Sequence, residues 1–135
     1  MRQHAVAYIN TDDTGRGYLD RSGSHILQHA LNGVVREIDD PEVHTSLWKR
    51  AQAKQILDAK DGGERREARE RADLQLDALG SGSDYTAFID FAGVPSLDLG
   101  FDGEGDNGIY HSAYDDFYWY THFSDSNFAD GKALS

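Results

Sequence analysis

The sequence predicts an α/β domain in which a largely parallel sheet is flanked by helices. Three observations predict it: an apolar run with β-branched and aromatic residues at 4–10, a helical repeat of apolar residues over 24–38, and a second strand-like run at 94–101. Strands that alternate with helices favour parallel pairing in one sheet. The 135 residues suit a single domain. The strands are few for a complete sheet, which has about five.

The first element, "HAVAYIN" at 4–10, predicts a buried strand that ends near Asn10. The next segment, "TDDTGRGYLDRSGS" at 11–24, is rich in turn residues and predicts a loop. Asp12 and Asp13 therefore follow the carboxyl end of a strand. In open α/β sheets, ligands bind at that edge.

Two amphipathic helices are predicted next. Ser22 or Ser24 is suited to cap the first, which spans about 24–38, and apolar residues predict a second over roughly 43–58. The highly charged stretch "AKDGGERREARERAD" at 59–73 has almost no apolar residues. It predicts an exposed loop or a solvated helical segment.

The remaining segments predict a short helix, a strand and a final helix. Asp84 is a natural N-cap, Gly93 ends the short helix, and "VPSLDLGF" at 94–101 alternates as a strand does. A loop over 102–108 then leads to a helix over 115–123.

Charge and composition exclude several classes of function. The net charge is −11, and the excess lies in the second half: residues 73–135 hold one Lys against 12 Asp and Glu. Such a surface repels phosphate backbones, so we expect no nucleic-acid partner. No apolar run reaches the ~18 residues of a membrane span. Without cysteine, a metal site would use His, Asp and Glu.

Polar side chains follow both predicted strands. Asp12 and Asp13 follow the first, and Tyr110, His111 and Asp115 follow the second. A carboxylate and an imidazole are ligands that zinc takes when thiols are absent. Spacing alone leaves a second interpretation open, in which Asp12 caps a turn and His111 is packing material.

Three segments resemble a known family. They are "VAYINTD" at 6–12, "LGSGSDYTAFIDFAGVPSLDLGF" at 79–101 and "YHSAYDDFYWYTHFSD" at 110–125. Together they resemble the co-catalytic di-zinc exopeptidases of the glutamate carboxypeptidase and transferrin receptor-like group, in the family's order and over nearly the whole chain. The resemblance implies a zinc-exopeptidase-like fold, of which residues 1–135 are an incomplete, C-terminal portion of the catalytic domain.

The resemblance also implies roles for single residues. Asp12 falls on a ligand of one zinc, and His111 falls on a ligand of the other. Tyr110 falls on the tyrosine that stabilises the tetrahedral intermediate, and Asp115 on an acidic position that supports the histidine. The substrate-binding loop of the family falls on Ser81, Gly82 and Ser83.

The function implied is that of an enzyme with two zinc ions, which hydrolyses peptide bonds through an activated water. The general base and the other zinc ligands of the family precede the "YINTD" strand, so the chain alone is expected to be inactive. The alternative is a peptidase-like interaction or receptor ectodomain without catalysis. Transferrin receptors have lost their zinc ligands, whereas Asp12 and His111 remain, which favours the enzyme.

Substrate and partners are implied less closely. Family members that prefer acidic residues use arginines on the strand after "GVPS", where this chain has "LDLG" at 97–100. Acidic substrates are therefore not expected, and the choice between aminopeptidase and carboxypeptidase stays open. The resemblance implies a homodimer formed through a further helical domain, and favours an extracytoplasmic or secreted location.

Overall fold

A mixed sheet of three strands lies at the centre of the computed structural model, which describes residues 4–12, 14–104 and 109–135. The strands are β1 (Tyr8–Asn10), β2 (Gly17–Gly23) and β3 (Ser96–Gly103), in the order β1-β3-β2. β1 runs parallel to β3, whereas β2 runs antiparallel to it. The α/β class is confirmed, but the prediction of a largely parallel sheet is wrong for the β2–β3 pair.

β2 is the main departure from the prediction, since it lies where a loop was expected. Its two end glycines are the reason for the error. A Cβ atom at Gly17 would lie 2.1 Å from the carbonyl oxygen of Asp102, and one at Gly23 would lie 2.5 Å from a methyl group of Leu97. These glycines therefore allow close approach to β3, and the turn-like composition of the segment hides a strand.

β1 is shorter and more exposed than predicted. Of the run at 4–10, only Tyr8–Asn10 forms a strand, and Val6 and Ile9 are 85% and 62% exposed. Within the part of the chain that the structure describes, β1 is an edge strand that pairs with β3 on one side only. One edge of β1 is consequently unpaired in the described structure, and only Asn10 of this strand is buried.

The first two helices lie where the apolar periodicity predicted them. A short 3₁₀ turn leads into α1 (Gln28–Glu37), and α2 spans Leu47–Asp58. Ser46 caps α2, because its side chain accepts a hydrogen bond from the backbone N–H of Lys49. Ser24 does not cap α1 through its side chain; its hydroxyl accepts a hydrogen bond from the N–H of Ser96 instead.

The core lies between these two helices and the sheet. Phe101 of β3 is fully buried at its centre, and a buried amide joins the layers. The Asn32 side chain exchanges hydrogen bonds with the backbone of Leu74 and accepts one from Trp48 Nε1. The apolar members of the core are Leu19, Leu31, Val35, Leu47, Ala51, Leu74, Leu76, Leu97 and Phe101.

The charged stretch 59–73 contains the helix α3 (Gly62–Glu70), none of whose residues is buried. The middle of this stretch therefore forms a solvent-exposed helix. Asp61 caps it through hydrogen bonds from the N–H groups of Gly63 and Glu64.

The predicted short helix after Asp84 is a π-helical segment, Ala87–Ala92, which ends at Gly93 in the left-handed conformation. The ring of Phe88 stacks on Tyr8 of β1 with the centroids 3.8 Å apart. Two further helices follow β3, namely α4 (Phe117–Phe123) and α5 (Ala129–Leu134). No helix in the described ranges combines the length and apolar character needed to cross a membrane.

Candidate functional site

A cavity of about 510 Å³ opens beside the carboxyl end of β1. Its walls come from the segment after β1, the segment before α4, and α4 itself. Both charged residues of the lining, Asp12 and Asp115, are acidic. The full lining is Asp12, Thr14, Gly15, Ile109, Tyr110, Asp115, Trp119, Tyr120 and Ser124.

Asp12 lies in the cavity wall, between the end of β1 at Asn10 and an isolated β-bridge at Thr14. Asn10 pairs with Asp98, and Thr14 forms a single parallel bridge with Phe101. There are four residue steps from 10 to 14 but three from 98 to 101. One extra residue on one strand is the pattern of a β-bulge, which redirects side chains near functional sites. Asp13 lies outside the described residues.

Tyr110, His111 and Asp115 form a local cluster before α4. The rings of Tyr110 and His111 stack with the centroids 3.9 Å apart. The backbone N–H of His111 donates to Oδ2 of Asp115 at 3.3 Å. His111 has φ 62°, in the left-handed region. A non-glycine residue rarely adopts that conformation, and such strain concentrates at functional sites.

The structure brings some predicted site residues together and leaves others apart. Asp12, Tyr110 and Asp115 share the cavity, whereas His111 is not among its lining residues. The exposed Ser81–Gly82 pair is also not part of the lining. Ser83 is tied to β1 instead, because its hydroxyl accepts a hydrogen bond from the Asn10 amide at 3.1 Å.

The Asp12 carboxylate and the His111 imidazole are chemically suited to bind zinc, but two ligands are too few for a zinc site. Among the described residues, no group of three or more His, Cys, Asp or Glu side chains is arranged to hold a metal ion. A zinc site needs three or four protein ligands. Asp12 and His111 therefore do not form a complete site with the other described side chains.

Sequence reasoning missed the contribution of α4 to the cavity. Trp119, Tyr120 and Ser124 line it, and Tyr120 also contacts the segment after β1 through its hydroxyl, which lies 3.2 Å from the carbonyl oxygen of Thr14. Burial raises the pKa of Tyr120, so the hydroxyl keeps its proton as a donor. The contact spans 106 positions of sequence, and no local motif marks it.

Comparison with known proteins identifies the family. The chain is 32% identical to a probable glutamate carboxypeptidase, LAMP1, of Arabidopsis thaliana over 100% of the chain and 18% of that protein. It is 44% identical to a probable glutamate carboxypeptidase of Arthroderma benhamiae over 99% of the chain and 17% of that protein. The chain belongs to the glutamate carboxypeptidase-like group.

Membership of the glutamate carboxypeptidase-like group confirms the resemblance seen in the sequence. A third relative, aminopeptidase NAALADL1 of Mus musculus, is 35% identical over 44% of the chain and 9% of that protein. The chain thus spans less than a fifth of the length of these curated relatives. No family profile matches it.

Proposed function

We propose that the chain supplies part of the active site of a zinc-dependent exopeptidase, within a longer protein called the parent protein below. The observation that carries the proposal is the shared cavity. Asp12 and Tyr110, about a hundred residues apart in sequence, line it together with Asp115. That convergence occurs in a chain of the glutamate carboxypeptidase-like group, whose named relatives include carboxypeptidases and an aminopeptidase.

Two residues of the chain are proposed as zinc ligands. The Asp12 carboxylate would bind one ion and the His111 imidazole the other, with the remaining ligands supplied by the parent protein. When bound, paired zinc ions activate a water molecule and polarise a carbonyl group. His111 is not among the residues that line the cavity. The proposal therefore requires its ring to lie at the rim, beside the stacked Tyr110.

Tyr110 is proposed as the hydrogen-bond donor to the substrate. Its ring is held by the His111 stack, while 72% of the residue remains exposed to the cavity and solvent. A phenol in that position would donate its O–H to the oxygen on which negative charge develops during peptide hydrolysis.

Two contacts would keep the site in place. Asp115 accepts the N–H of His111 and so supports the left-handed turn that presents the histidine. The proposed substrate loop Ser81–Ser83 is anchored through Ser83 to Asn10, two positions before Asp12. Asn10 also donates to Asp98 Oδ1 at 3.0 Å.

The same contacts indicate which substrates are disfavoured. Asp98 stands on the strand where the family's acid-preferring members use arginine, and the charged lining of the cavity is acidic. An anionic side chain would find no Lys or Arg among the described lining residues of the cavity to neutralise it. We therefore propose peptides whose end residue is neutral or cationic as substrates.

The proposal is tested on the parent protein by metal analysis and by assays with peptides blocked at one end or the other. We expect activity that a chelator removes and zinc restores, and its loss in His111→Ala. The matched control is His122→Ala, an exposed histidine on α4. Full activity in His111→Ala, or activity that no chelator affects, would overturn the proposal.

A further inference from the structure

Tyr120 connects α4 to the segment that carries Asp12. Its hydroxyl lies 3.2 Å from the carbonyl oxygen of Thr14 and 3.4 Å from Oδ2 of Asp125. We propose that Tyr120 is a positioning residue that holds the Asp12 segment against α4 and so restricts the positions that the Asp12 carboxylate can take. This inference rests on the proposed function.

The Asp12 segment needs such support because, among its described residues, Thr11 and Asp12 lie outside the paired strand β1. Regular pairing with β3 ends at Asn10, and a single bridge at Thr14 resumes it. Asp12 lies between these two points and is exposed. A long-range contact at Thr14 would therefore limit how far the Asp12 carboxylate can move.

Next to Tyr120, the side chain of Asp125 is buried and hydrogen bonded. Asp125 is 1% exposed, and its two carboxylate oxygens accept hydrogen bonds from the N–H groups of Ala129 and Gly131 at 2.9 and 3.0 Å. The Tyr120 ring also lies 6.0 Å from that of Phe128, centroid to centroid. Tyr120 therefore contacts both Thr14 and an Asp125 side chain that hydrogen bonds from α5 hold in place.

The phenol has one proton for two acceptors, Thr14 O and Asp125 Oδ2. Replacing it by phenylalanine keeps the ring in the cavity wall but leaves both oxygens without this donor. Thr14 is two positions from Asp12, so the loss would act on the ligand through the backbone. Residues that support a metal ligand typically contribute about 10- to 100-fold to metal affinity or activity.

The test compares Tyr120→Phe with Tyr118→Phe in the parent protein. Tyr118 lies on the same helix, is exposed, and is not part of the cavity lining. Three quantities are measured: the zinc dissociation constant by chelator competition, the exchange rates of the backbone amides of residues 11–16, and the melting temperature. We expect Tyr120→Phe to weaken zinc binding about tenfold and to speed amide exchange in 11–16, with a melting temperature close to that of the control.

Two outcomes would overturn the inference. One is a Tyr120→Phe protein that matches the control in zinc affinity and exchange. The other is a lower melting temperature with unchanged exchange in 11–16, which would mean that Tyr120 acts through packing alone. The exchange measurement needs neither zinc nor substrate. A wild-type parent that binds no zinc would therefore overturn the proposed function, while exchange would still decide whether Tyr120 holds the segment.

Discussion

Nη1 of Arg50 lies 2.8 Å from Oδ1 of Asp40, and the two side chains are 7% and 1% exposed. The other terminal nitrogen of Arg50 bonds Glu42 and Glu104, at 2.6 and 2.8 Å. Burial alone would lower the pKa of Arg50, but its bonds to the Glu42 and Asp40 carboxylates outweigh that effect and raise the pKa above its ordinary value. This buried ion cluster joins α2 to the end of β3.

Replacing Arg50 by methionine is expected to destabilise α2 and the strands beside it by about 3–5 kcal/mol, because Asp40 is left as an unpaired buried charge. The control on the same helix is Lys54→Met, which removes the exposed pair with Asp58 and should cost at most about 1 kcal/mol. Native-state hydrogen exchange of the α2 amides measures both effects. Equal losses in the two variants would contradict the prediction.

The burial of Asp130 should make the docking of α5 depend on pH. Asp130 is 2% exposed, and its Oδ1 atom is a buried oxygen without a hydrogen-bond partner in the described structure. Burial, followed by the charges of Asp125, Glu42 and Asp40, raises the pKa of Asp130 to about 6. The folded state therefore favours the protonated form, and stability should fall as the pH rises from about 4 through 6.

The variant Asp130→Asn should remove that dependence. At pH 8 it should strengthen α5 by about 1 kcal/mol, after allowance for screening by solvent, and below about pH 4, where Asp130 is protonated in both the folded and the unfolded chain, it should have little effect. Amide exchange in α5 at the two pH values is the measurement. Asp125→Asn is the contrasting variant, since it weakens the bonds to the Ala129 and Gly131 N–H groups and should loosen α5 at both pH values.

Tyr110→Phe in the parent protein should lower kcat by about 100-fold and leave the zinc content unchanged, because a transition-state donor is lost but no ligand. Tyr114→Phe is the control, an exposed tyrosine in the same segment. The two variants are compared by kcat, KM and bound zinc. Undiminished kcat in Tyr110→Phe would remove the role proposed for its hydroxyl.

Peptides that end in glutamate should be cleaved at least about tenfold more slowly, in kcat/KM, than those that end in glutamine, because no Lys or Arg among the described residues lines the cavity to compensate the added charge. Glutamine is the neutral isostere, so the comparison isolates charge from size. A preference for glutamate would show that cations outside the described residues govern specificity.

Residues 1–135 alone should bind zinc weakly and hydrolyse no peptide. The described part of the chain lacks a group of three or more metal-binding side chains, whereas a zinc site needs three or four. Equilibrium dialysis and both peptide panels test this. Tight stoichiometric zinc with turnover would mean that a complete site lies within these residues.

Local sequence signals predicted the helices well and the strands less well. The apolar spacing of Leu31 and Val35 sufficed for α1, because one buried face dictates a helical period. β2 was missed because Gly17 and Gly23 look like turn residues, and their need for close approach to β3 becomes visible only once that pairing is known.

The same limit applies to the candidate site. Asp12, Tyr110 and Asp115 line one cavity, whereas His111, which was expected to lie with Asp12, is not among the lining residues. The role of α4 was not predictable, since the Tyr120 hydroxyl meets a backbone carbonyl, and a carbonyl carries no residue-specific signal. Whether Asp12 and His111 bind zinc stays a prediction.

The two edges of the sheet differ in how they can be extended. The far side of β2 is engaged at Arg21 and Gly23 by backbone hydrogen bonds with Asp77. β1 presents an open edge in the described structure, with Ile9 exposed. A further strand would therefore join beside β1, at a spacing of about 4.8 Å, and a parallel one would bring its carboxyl end next to the Asp12 segment. Addition of such a strand and completion of the proposed metal site would then take place at the same edge of the sheet.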